Sequence, residues 1–151
     1  MLDKLFDRFR QETSAPETQE IDALQLAFAA LLVEAARADE VYARHEIAII
    51  DRALKSKFGL NDEGAAALRT KAESVQENAT DIQRFTRIAK EMSNNEKISL
   101  IEEIWEIILS DGDRDSFEDT LVRRICGLIY VDDRASGEAR HRVEARLKDG
   151  A

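Results

Sequence analysis

A single cysteine, a single proline, six glycines and two histidines in 151 residues leave little of what cross-linked, zinc-bound or loop-rich scaffolds are made from. With only Cys126 there is no intramolecular disulfide, and no Cys/His spacing matches a zinc site, so the reducing cytoplasm is the expected compartment. The longest uninterrupted apolar run, LAFAALLV at Leu26 to Val33, is far short of the roughly 20 residues that cross a bilayer. The N-terminus also lacks the basic start, apolar stretch and small-residue cleavage site of a secretory signal, and export by that route is not expected. Positive charge is in deficit: 22 basic against 31 acidic residues give a formal net charge of -9, which repels the phosphate backbone of DNA or RNA.

What is abundant is Ala, Leu, Ile, Glu, Arg and Lys, with apolar positions recurring at helical spacing, and an all-α single domain of about seven to eight helices is expected. Leu2, Leu5, Phe6 and Phe9 line one face of a short N-terminal helix over 1–11, and the polar stretch QETSAPETQE reads as a linker over 12–20. The domain proper is expected over 21–148. Its first helix carries Leu24, Phe28, Leu31, Leu32 and Ala35, and the pattern breaks at RADEVYARHE before resuming with Ile47, Ile50, Leu54 and Phe58. Asn61 or Asp62 can cap the next helix, while Thr80 with Gln83 and Ser93 with Glu96 match capping boxes. The helix after Ser93 presents Ile98, Ile101, Ile104, Trp105 and Ile108, and runs into a second acidic turn, DGDRDSFE. A helix with Leu121, Val122, Ile125 and Ile129 follows, then a highly charged one with Val143 and Leu147.

Shifted by 72 residues without gaps, LVEAARADEVYARHEIAIIDRALKSKF falls over IWEIILSDGDRDSFEDTLVRRICGLIY. Glu34, Asp39, Glu46 and Arg52 then coincide with Glu106, Asp111, Glu118 and Arg124, which reads as a duplicated helix hairpin with pseudo-two-fold halves whose acidic turns approach one another. Asp39 and Asp111 should sit at helix ends, facing the negative end of the macrodipole, so a cation, a neighbouring Arg or Lys, or turn-forming bonds to backbone amides must compensate them. Glu118 can close a capping pair with Asp115, whereas the equivalent cap position for Glu46 is Ala43, which has no acceptor. Asp111, Asp113, Asp115 and Glu118 crowd into eight residues. Oxygen-only ligands select Ca²⁺ or Mg²⁺ over zinc or copper, although the spacing is not that of an EF-hand.

The segments LLVEAARADEVYARHE and TDIQRFTRIAKEMSNNEKISLIEEIWEIILSDGDRDSFEDTLVRRICGLIYV resemble the TerB-like family of tellurite-resistance-associated proteins over roughly residues 24 to 133. The resemblance implies an all-helical fold with pseudo-two-fold halves, an acidic cluster proposed to hold divalent metal, a link to stress responses and membrane-associated complexes, and no established catalytic activity. The matching acids are Asp39, Glu46, Asp111 and Glu118, with Glu34 and Glu106 as additions. Glu40 and Val41 stand where the family continues Asp-Gly with another acid, so the first turn departs from the pattern.

No enzymatic constellation stands out. His45 and His141 are isolated, Glu138 and His141 form one Glu-x-x-His pair without the second that a di-iron bundle needs, and Cys126 and Trp105 sit in apolar surroundings. Two classes are therefore expected: a non-catalytic module binding Ca²⁺ or Mg²⁺ on the acidic turns, or a metal-independent helical adaptor for a protein partner. Lys4, Arg8 and Arg10 against Asp3 and Asp7 leave only weak attraction to an anionic membrane surface.

Overall fold

A computed structural model describes residues 15–38, 41–110 and 116–149, with side chains described from residue 23 and, in the helix that opens at Ser116, from residue 120. Among these residues the chain is all-helical: α1 (Ala15–Arg37), α2 (Arg44–Phe58), α3 (Asp62–Asn78), α4 (Gln83–Ala89), α5 (Asn94–Ser110), α6 (Ser116–Ile129) and α7 (Asp133–Asp149). No helix among them is long and apolar enough to cross a membrane. The segment expected as linker is helical from Ala15 onward, with Pro16 in the first turn, where its missing N–H is no loss. The amphipathic segment 1–11 lies outside the described residues.

α1 is covered on most sides from Ala27 to Ala36. Ala27 to Val33, Ala35 and Ala36 are all buried, and the helix packs against α2, α3, α4 and α5. Its apolar residues therefore encircle the helix from Ala27 onward, while Leu24, expected on the core stripe, stays 37% exposed. The small side chains of Ala27, Ala29, Ala30 and Ala36 let neighbouring helices approach closely, and Phe28 meets Phe58 of α2 edge to face at 5.4 Å between ring centroids. α5 is the second organising helix, burying Leu100, Ile101, Ile104, Ile107 and Ile108 and packing on α1, α2, α6 and α7.

Helix bounds track the sequence offset. α2 opens at Arg44 and α6 at Ser116, 72 residues on; α3 packs on α1 as α7 packs on α5, and α1 and α5 lie against each other. The packing of the two hairpins differs at α4. α2 packs directly on α5, whereas α6 reaches α1 chiefly through α4.

Helix starts follow local chemistry. Asn61 Oδ1 accepts from the Gly64 amide at 2.7 Å. Ser93 and Glu96 form the reciprocal capping box, at 3.2 Å from the Glu96 amide to Ser93 Oγ and 3.0 Å from the Ser93 amide to Glu96 Oε1. The Thr80/Gln83 box does not form: the Gln83 amide donates instead to Asp81 Oδ1 at 2.8 Å, and α4 begins at Gln83. α7, the most charged helix, is anchored by Ala139 and Val143 and by the Trp105 indole N–H donating to Ser136 Oγ at 3.1 Å.

α2 and α6 both end on a left-handed residue. α2 uses Gly59, at φ 64°, while α6 uses Tyr130, at φ 65°, with its ring exposed and Lys90 Nζ 5.6 Å from the ring centroid. An added Cβ at Gly59 would meet nothing within 4 Å, so Gly59→Ala should cost only the backbone penalty, about 1 kcal/mol. Tyr130→Gly should remain within about 0.5 kcal/mol of the parent, since relief of the same penalty offsets the lost cation–π contact. Urea unfolding of both variants checks the pair; a loss above about 2 kcal/mol for Tyr130→Gly would mean that the ring contributes packing that its exposure does not show.

Candidate functional site

Of the acids expected to bind metal, Glu34, Glu46 and Glu106 have described side chains. Asp39, Asp111, Asp113 and Asp115 lie outside the described residues, as does the side chain of Glu118. No group of three or more metal-competent side chains occurs among the described residues, and each of the three described acids has a partner within the fold.

Glu46 is buried at the third position of α2, where its Oε1 accepts from the Ala43 amide at 2.8 Å. This is half of a capping box: Ala43 offers no side-chain acceptor, yet the glutamate satisfies an amide that begins the helix. The recurrence of this Glu at the start of α2 thus has a structural cause that the missing cap at Ala43 concealed.

Glu106, on α5, sits at the centre of an ion-pair cluster. Its carboxylate accepts from Arg52 of α2, while Arg146 Nη2 of α7 donates to Oε1 at 3.0 Å. Glu102, one turn earlier, accepts from Arg146 at 3.1 Å and from Arg142 at 3.0 Å. The Glu106 side chain is 7% exposed while Arg52 and Arg146 are about half exposed, so one buried carboxylate draws the rims of three helices together. Beside it, Glu103 Oε1 is buried with no hydrogen-bond partner. Burial holds that carboxyl above the usual range, opposed by the charges of Arg52 and Arg146.

Glu34, on α1, is half-buried and accepts from Gln76 Nε2 at 2.8 Å; Gln76 Oε1 in turn accepts from Arg37 Nη1 at 2.6 Å. Arg37 also donates to the Glu73 carbonyl at 3.1 Å and lies 5.0 Å from the centroid of the Tyr42 ring. The Tyr42 hydroxyl donates to Glu73 Oε2 at 2.5 Å, and Arg69 bridges Glu73 and Asp51. Burial, followed by the bond to Glu73, raises the Tyr42 phenol well above its ordinary range, so it remains a donor at any physiological pH.

Glu34, Arg37 and Gln76 line a polar cleft of about 670 Å³ together with the 79–82 connection and Arg124 of α6. Arg124, Arg37 and Gln76 were not candidates from the sequence, although Arg124 already stood out as one of the residues shared across the 72-residue offset. Of the enzyme-like features, Glu138 and His141 are exposed on α7. Cys126 is 1% exposed, and burial raises its thiol above its ordinary value.

Two outcomes follow from the ion-pair cluster. Glu106→Gln should lose about 1 to 3 kcal/mol, less than a fully buried pair because both arginines are half in water; urea unfolding checks it. Glu103 has a raised pKa in the fold, so its contribution to stability is present below the unfolded carboxylate value and lost as pH rises through the folded one. Glu103→Gln should therefore raise the melting temperature at pH 7, the advantage shrinking as pH falls toward about 4. An advantage that does not change with pH would show the carboxyl is not the cause.

Comparison with curated proteins and with solved structures gave no match. A family model described as "Tellurite resistance protein TerB" matches residues 25–141, which runs from α1 into α7 and includes the residues lining the cleft and, of the ion-pair cluster, Arg52, Glu102 and Glu106. The chain belongs to the TerB family.

Proposed function

We propose that this chain is a non-catalytic helical binding module of the tellurite-resistance, stress-associated type, that it takes Ca²⁺ or Mg²⁺ on the turn between α5 and α6, and that it passes this state to a protein partner. The observation that carries the reading is the shortness of that connection. α5 ends at Ser110 and α6 opens at Ser116, the two helices pack on each other, and three of the five residues between them are aspartates. Like charges held so close repel one another, and a hard cation relieves the repulsion.

The ligands in this reading are Asp111 and Glu118, supplemented by Asp113 or Asp115. Glu106 is committed to Arg52 and Arg146, and Glu46 to the Ala43 amide, so neither is among the first ligands. Asp39 forms a weaker counterpart in a duplicated first hairpin, and Glu34 faces the cleft.

Thermal unfolding with and without the cation tests this. At about 100 times its dissociation constant, a native-state ligand adds roughly 2.7 kcal/mol, a rise of several degrees for a domain of this size. Ionic strength is matched with Na⁺, since diffuse screening also helps an acidic protein. Asp111→Asn with Glu118→Gln should abolish the response and leave the helical circular dichroism unchanged. If chelated and cation-loaded protein melt together at equal ionic strength, the acids are turn-forming groups and a metal-independent adaptor is the better description.

A further inference from the structure

Arg52 and Arg124 are each the ninth residue of their helices, α2 and α6, and Glu34 and Glu106 stand 72 apart on α1 and α5. On one side of the molecule this arrangement is closed, because Arg52 pairs directly with Glu106 and Arg146 completes the cluster. On the other side it is open. Glu34 and Arg124 both line the 670 Å³ cleft together with the 79–82 connection, and α4 packs against both α1 and α6. Glu34 has turned to Gln76, and the Arg124 guanidinium is exposed with no hydrogen-bond or ion-pair partner among the described residues.

The charges around the cleft narrow what could occupy it. Glu34, Glu77 and Asp81 stand against Arg37 and Arg124, and the Arg37 fork is already spent on Gln76 and the Glu73 carbonyl. A simple anion such as phosphate would meet the Arg124 fork but also three carboxylates; a bare cation would meet the carboxylates but also the Arg124 guanidinium. A molecule carrying both charges satisfies both sets. The volume lies within the range of small-molecule sites, while the polar lining disfavours the apolar ligands that most such sites take.

We propose that this cleft is a binding site for a small zwitterion of the α-amino-acid class, its carboxylate on the Arg124 guanidinium and its ammonium among Glu34, Glu77 and Asp81. The ligand does on this side what the direct Arg52–Glu106 pair does on the other, joining α6 to α1 across the wedge made by α4. The proposal stands independently of cation binding at the α5–α6 turn.

The test is amide-resolved NMR titration of the full chain, in chelator so that no cation bridges ligand to protein, with each of the twenty protein L-amino acids in turn. Saturable shifts at residues 34–37, 76–82 and 124 are expected for at least one. For the strongest binder, the N-acetyl form, which has lost the ammonium, and the carboxamide form, which has lost the carboxylate, should each bind roughly ten-fold or more weaker, as loss of a charge-assisted contact implies. Arg124→Gln should weaken binding by a similar factor with an unchanged melting temperature, because the side chain is exposed and has no partner among the described residues. The proposal is overturned if no amino acid gives saturable shifts there, if the two singly charged forms bind as well as the parent ligand, or if Arg124→Gln binds equally well.

Discussion

Everything in this fold depends on covering one helix. From Ala27 to Ala36 α1 is buried nearly all round, and an apolar rod of that kind is stable in water only when other helices enclose it. Its alanines decide how that is done: with short side chains on several faces, α2, α3, α4 and α5 can all reach the same axis. α5 then repeats the solution with larger residues, Leu100, Ile101, Ile104, Ile107 and Ile108, and supplies the surface on which α6 and α7 rest.

Around that core the charged residues hold rims together rather than forming one shared centre. The Glu106 cluster ties α2, α5 and α7, and the network of Arg37, Tyr42, Glu73, Arg69 and Asp51 ties the end of α1 to α2 and α3. In both, a carboxylate with little exposure takes several donors, which compensates its removal from bulk water. α4 packs against both α1 and α6, and Glu34 and Arg124 line a polar cleft, whereas Arg52 and Glu106 form a direct ion pair.

Helix number and order were legible in the sequence because the apolar period and the turn chemistry agreed at most boundaries; Asn61 and the Ser93/Glu96 pair mark helix starts in both the sequence and the fold. Thr80 misled because Asp81, one residue later, captures the Gln83 amide first. The polar stretch before Ile21 read as linker because composition alone does not reveal that a proline in the first turn is compatible with a helix. The family was legible from the two acidic turns and their glutamates. The roles of those glutamates were not: that Glu46 would bond to a backbone amide and Glu106 to two arginines from distant helices depends on packing between elements 40 or more residues apart in the case of Glu106. Arg124 was visible as a repeated residue, but only the placement of α4 distinguishes it from Arg52.

The enclosure of α1 also sets an order of events when the chain is made. α1 is made before the helices that cover it, and one of these, α5, begins at Asn94, more than 50 residues after α1 has ended. At about 5–20 residues per second, that interval lasts several seconds, during which α2, α3 and α4 can cover only part of it. The apolar residues of α1 that face α5 therefore stay uncovered by it throughout that interval, and are a surface on which the nascent chain can aggregate.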